Sequence, residues 1–155
     1  MKRLITALIL ILTSGLNSVQ AGVVVGGTRI IYPANQSEVQ IALKNKDNDK
    51  RYLVQSWVSN IDDSKAPFIM TPPIYKLDEN RQTLLHVVYT GNKSALPQDR
   101  ESLFMANIKS VAAIPEELHD KNTLQFAIKT KLKLFLSPGL IDRRRGKNGL
   151  AIVAI

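Results

Sequence analysis

Few side chains in this sequence are spaced for chemistry on a substrate. The two histidines, His86 and His119, have neither a cysteine nor a carboxylate partner at metal-ligand spacing. His86 falls in an alternating apolar run, where a place on a strand face is expected rather than a role as a base. Asp99 and Glu101 stand two apart in an extended segment, hence on one face, as a glycoside-cleaving carboxylate pair would. No cluster of aromatic residues accompanies them to hold a sugar. Asp62 and Asp63 precede Ser64 and Lys65 in a polar loop and read as a solvated turn. Gly22, Gly26 and Gly27 lack the helix and the Lys-Ser/Thr pair that complete a phosphate-binding loop. The absence of cysteine removes thiol nucleophiles and thiolate metal sites. Neither an enzyme nor a metal or cofactor site is expected.

Residues 122–136, NTLQFAIKTKLKLFL, offer binding in place of catalysis. Leu124, Phe126, Ile128, Leu132, Leu134 and Leu136 share one face with Thr130. Gln125, Lys129, Lys131 and Lys133 share the other with Ala127 and Phe135. Period-two alternation marks a half-buried strand. This run covers 15 residues, where an ordinary strand has about 5–6. An unpaired strand edge with large alternating apolar side chains invites association. Burying three such side chains against a partner is worth about 1.5–3 kcal/mol each before association costs. Leu132 and Leu134 are expected in the chain's own core.

The elements that must position this row are read by the same alternation. Residues 22–32 are β-branched and apolar, with a kink or bulge at Gly26-Gly27. Further strands are expected over 39–44, 52–58 with Trp57, 68–77 broken by Pro72-Pro73, 83–89 and 102–111. Polar turns such as NKDNDK at 45–50 separate them. About seven short strands at steady intervals, with no convincing amphipathic helix, predict an all-β antiparallel sandwich of the immunoglobulin-like kind.

The chain opens with Lys2 and Arg3, an apolar stretch over 4–12 and a small-residue end at Ala21, the form of a cleavable secretory signal over 1–21. That stretch is shorter than the roughly 20 residues a membrane-spanning helix needs. No other segment is apolar enough, so export without membrane insertion is expected. Removal of residues 1–21 leaves 134 of the 155 and takes two cations, lowering the formal charge from +8 to +6. That length suits one domain with a core large enough to dispense with disulfides. The positive charge is local, at Lys129, Lys131 and Lys133 and again at 143–147. Only Phe135 lies near the lysine row, so a nucleic-acid partner is not expected.

The segments TRIIYPANQSEVQIALKN, YLVQSWV, FIMTPPIYKL, LPQDRESLFMANI and NTLQFAIKTKLKLF, in this order, resemble the periplasmic chaperones of the chaperone–usher pathway of pilus assembly. The resemblance runs from Gly22 to about Phe135, and LPQDRESLF is its most specific block. Met105 stands where an aromatic is usual and Ala112 where a proline is. The resemblance implies two immunoglobulin-like domains set at an angle, binding pilus (fimbrial) subunits for delivery to an outer-membrane usher. It implies that the last strand of the first domain fills a groove in the subunit, with Leu124, Phe126 and Ile128 as the donated side chains. It also implies that Arg29 and Lys133 anchor the subunit's C-terminal carboxylate. Lys129 and Lys131 have no such match and read as charge protecting the edge. The same edge can pair a second copy of the chain.

The resemblance ends early. Ser137 stands where an arginine is usual before the proline. Residues 138–155, ending LAIVAI, form a basic and apolar tail that matches nothing expected of the hinge or the second domain. An impaired chaperone, or a non-functional remnant of one, is therefore the expectation. A pilin-like or adhesive sandwich would call for an N-terminal donor extension and usually a disulfide, and neither is seen.

Overall fold

The computed structural model describes residues 22–97, 99–114 and 122–138. The signal at 1–21, His119 and the tail at 139–155 lie outside the described residues. Nine strands follow in order: β1 Val23–Val25, β2 Arg29–Pro33, β3 Val39–Asn45, β4 Tyr52–Ser59, β5 Phe68–Thr71, β6 Ile74–Leu77, β7 Gln82–Tyr89, β8 Ser102–Ala112 and β9 Ala127–Ser137. They make a four-stranded sheet, β1-β3-β7-β5, and a five-stranded sheet, β2-β9-β8-β4-β6. The ladders are antiparallel except β2 with β9, which is parallel.

Two of the seven expected strands are each divided between the sheets, and the sequence at each break explains why. At Gly26-Gly27 the chain leaves β1 in one sheet for β2 in the other. Gly27 takes φ of +103°, a conformation open to glycine. The Gly26 amide donates to Ala42 O at 2.7 Å. A Cβ at residue 26 would stand 3.1 Å from that same oxygen. At Pro72-Pro73 the chain crosses from β5 to β6, because proline cannot donate to a continuing ladder. Ser56 holds the crossing on β4: its amide donates to Pro73 O and its hydroxyl to Pro72 O, both at 2.9 Å.

Alternate residues of both sheets meet in one core. Ile41, Leu43, Leu85, Val87, Phe68 and Met70 come from the first sheet; Ile30, Tyr32, Val54, Ala106, Ile108, Leu132, Leu134 and Leu136 come from the second. Phe68 packs edge-to-face with Tyr32, Tyr89 and Phe104 at centroid distances of 5.8, 5.0 and 4.9 Å, the arrangement aromatic quadrupoles favour. The Tyr32 hydroxyl, brought into the core with its ring, donates to Ser37 O at 2.8 Å and accepts from the Tyr89 amide at 3.2 Å. Buried polar groups need such partners.

One expectation needs correction. The 15-residue row is not one strand: the ladder begins at Ala127, opposite Val111, and residues 122–126 belong to no strand. Beyond Val111, Ala112 pairs with Tyr52 alone. Alternation records which way side chains point, and a strand exists only where a neighbour supplies hydrogen bonds.

Candidate functional site

β9 is bordered differently along its length. Residues 133–136 lie between β8 and β2, and the β2 ladder runs from Arg29 opposite Lys133 to Pro33 opposite Ser137. Residues 127–132 pair with β8 on one side only; among the described residues nothing occupies the other side. A strand edge of open N–H and C=O groups therefore runs up to the start of β2.

The side chains divide a little earlier, between Ile128 and Leu132. Leu132, Leu134 and Leu136 are buried in the core. Ile128, Phe126 and Leu124 continue the same face outward and are 60%, 73% and 82% exposed. Large apolar side chains so exposed, consecutive on one face and beside an open edge, are unlike the scattered apolar residues of an ordinary surface.

Arg29 and Lys133 are direct cross-strand partners at the point where the open edge meets β2. Their neighbours Ile30, Leu132 and Leu134 are buried, so both cations face outward, and both are exposed. Among the described residues neither has a hydrogen-bonded or ion-paired side-chain partner. Adjacent strands lie about 4.8 Å apart, so two like charges stand side by side with no counter-charge. Such a pair can hold an anion by charge-assisted hydrogen bonds, the guanidinium offering a planar fork and the ammonium a mobile point charge.

Lys129 and Lys131 behave differently from the edge protection expected of them. Lys131 Nζ donates to Asp63 Oδ1 at 2.8 Å and Oδ2 at 3.0 Å. Lys129 Nζ lies 5.0 Å from the centre of the Trp57 ring. Both ammonium groups thus reach across β8 towards β4 and its loop. Asp63 is correspondingly more than a solvated turn, although Asp62 does accept from the Ser64 hydroxyl at 2.6 Å. The hydrogen bond from Lys131 holds the Asp63 carboxyl below its ordinary range. Sequence reasoning missed this contact, whose partners are 68 residues apart. Trp57 carried a signal: it alternates with Val54, Ser56 and Val58 out of phase, which places it on the outer face.

His86 stands half-buried on β7, with Nδ1 3.1 Å from Glu38 Oε2. Asp99 pairs with Arg100 at 3.4 Å. Neither arrangement assembles a catalytic constellation. The hollow between β4 and β5, about 410 Å³, is lined by Trp57, Asp63, Lys65, Phe68 and Met70 among others, and its Asp63 is already engaged by Lys131.

The comparisons with known proteins agree with this architecture. Residues 22–142 match the family described as pili and flagellar-assembly chaperone, PapD N-terminal domain. The match reaches beyond Phe135, where the resemblance read from the segments ended. Chaperone protein LpfB of Salmonella typhimurium strain LT2 is 41% identical over 134 residues, covering 86% of this chain and 56% of that protein. The crystal structure of the periplasmic chaperone SfaE superposes with a TM-score of 0.66 at 38% identity, over 76% of this chain and 58% of that one. A chain from the complex of Salmonella enterica SafA pilin with the SafB chaperone gives 0.67 at 34% identity, over 80% and 58%. The chain thus spans a little over half the length of these relatives. Proteins of this family are chaperones and not enzymes. With its two-sheet sandwich and its match over residues 22–142, the chain belongs to the pili and flagellar-assembly chaperone family, within the PapD N-terminal domain.

Proposed function

We propose that this chain is the subunit-binding part of a periplasmic chaperone for pilus subunits, which are then passed to an outer-membrane usher. It binds by lending the free half of β9 as a strand to the subunit and holding the subunit's C-terminal carboxylate on Arg29 and Lys133. The observation that carries the proposal is the alignment of three elements along β9: an exposed apolar row, an open strand edge and an unpaired couple of cations at its end. The structure of a pilin with a chaperone, SafA with SafB, is among the relatives with this fold.

The geometry also favours a direction for the incoming strand. β2 fills the lane beside β9 from Lys133 onward and runs parallel to it. A strand entering the empty lane in β9's own direction ends against Arg29 with its C-terminus. Its carboxylate then meets both cations. Entered the other way, its N-terminal ammonium would face two like charges. Fixing the carboxylate also fixes register, since a one-residue slip would turn every side chain to the wrong face.

Co-purification of a pilus subunit with a Phe126→Asp variant tests the reading. An unpaired carboxylate entering an apolar groove costs several kcal/mol, so the variant should fold, by circular dichroism, and lose the subunit. Undiminished capture would contradict strand donation.

A further inference from the structure

The inner face of this stretch is largely open: Ile128 in β9 is 60% exposed and Phe126, just before the strand, 73%, and the ladder with β8 holds β9 from one side only. The outer face of the same stretch is different. Gln125 Nε2 donates to Ala112 O at 2.8 Å, Lys129 lies over Trp57 and Lys131 grips Asp63. These contacts land on β8, on β4 and on the loop after β4, so three side chains tie β9 and the residue pair just before it to three separate supports.

Beneath them lies Asn107, fully buried although it sits on the outer face opposite both Trp57 and Lys131. Its Nδ2 donates to Ser59 Oγ at 3.0 Å and to Met105 O at 3.1 Å. The cover over Asn107 is thus more than a set of solvated charges. Asp63 reaches Lys131 from a left-handed turn, with φ of 64°, a conformation that aspartate tolerates better than most residues.

We propose that Gln125, Lys129 and Lys131, with Trp57 and Asp63 as their supports, are positioning residues that hold the free half of β9 extended and in plane before a partner arrives. The proposal rests on the strand-donation reading and divides the strand between its faces. Gln125, Lys129 and Lys131 brace it; Leu124, Phe126 and Ile128 are left free to be given away. A strand already ordered loses less conformational freedom on binding, and such pre-organisation raises affinity without adding contacts. The brace also draws both ammonium groups across β8 and away from the lane an incoming strand would use.

The test is hydrogen exchange of the 127–131 amides in the whole chain, paired with the kinetics of capturing a purified pilus subunit. Asp63→Asn preserves the turn and removes the charge without altering the donated strand. Asp63→Asn and Lys131→Gln should each accelerate exchange over 127–131 by roughly two- to fivefold, the range for exposed pairs, and leave β7 unchanged. Capture should slow by a similar factor while the dissociation rate stays at the wild-type value; Lys131→Arg should restore both. The single tryptophan of the chain, Trp57, should change its emission in Lys129→Met. Exchange and association at wild-type rates in both Asp63→Asn and Lys131→Gln would overturn the brace. If those variants behave as expected but Phe126→Asp still captures the subunit, strand donation fails instead.

Discussion

Ile128 and Leu132 stand on the same face of one strand, yet one is 60% exposed and the other 8%. The difference lies outside both residues: Leu132 adjoins Lys133, where pairing with β2 begins, and Ile128 stands five residues before it. Truncation should therefore have opposite effects on either side of that boundary. Phe126→Ala should leave folding stability unchanged and weaken subunit capture roughly ten- to hundredfold, the equivalent of losing the burial of one large apolar side chain. Leu134→Ala should cost about 2–5 kcal/mol of folding stability through the cavity it opens. Titration calorimetry and denaturant unfolding of the two variants would separate the effects. The alternation made Leu124 through Leu136 legible as one row. The point where the row leaves the core was not legible in it, because neighbouring strands, and not the residues' own types, decide burial.

β9 pairs with β8 along most of its length and with β2 from Lys133 onward, and the supports of its outer face come from distant parts of the chain. The breaks between β1 and β2 and between β5 and β6 were signalled by Gly26-Gly27 and Pro72-Pro73, residues whose backbone chemistry forces a change of course. The Lys131 contact with Asp63 had no local signal, since either residue alone reads as a solvated charge. It has a pH consequence. The hydrogen bond from Lys131 lowers the Asp63 pKa from its ordinary 3.8. A folded-state value below the unfolded one means the contact stabilises the native state above pH 3.8 and is lost as pH falls through the folded value. The brace should thus be intact at neutral pH and fail only in acid. In Lys131→Met, NMR titration of the Asp63 carboxyl should show a midpoint moved back up towards 3.8; an unmoved midpoint would mean the pair is not formed in solution.

At the scale of the molecule, the described residues form a two-sheet sandwich in which residues 127–132 of β9 leave one side unpaired. The two sheets bury a continuous core around Phe68 and Leu134 to which Leu124, Phe126 and Ile128 do not belong, so their substitution should leave folding intact. An open apolar edge left unfilled is a template for pairing with another chain. The chain should accordingly self-associate as its concentration rises, and Phe126→Asp should return it to a monomer in sedimentation experiments. Association that survives this variant would place the contact elsewhere on the surface. The central claim, that a subunit's terminal carboxylate docks on Arg29 and Lys133 beside the donated strand, is tested most directly by a cycle of binding measurements. Affinity would be measured for the wild type, Arg29→Ala and Lys133→Ala, each against a pilus subunit with and without its C-terminal carboxylate. Each substitution should weaken binding of the intact subunit by about tenfold or more, as loss of a charge-assisted hydrogen bond does, and should be silent once the carboxylate is gone. Equal losses with and without the carboxylate would contradict the account.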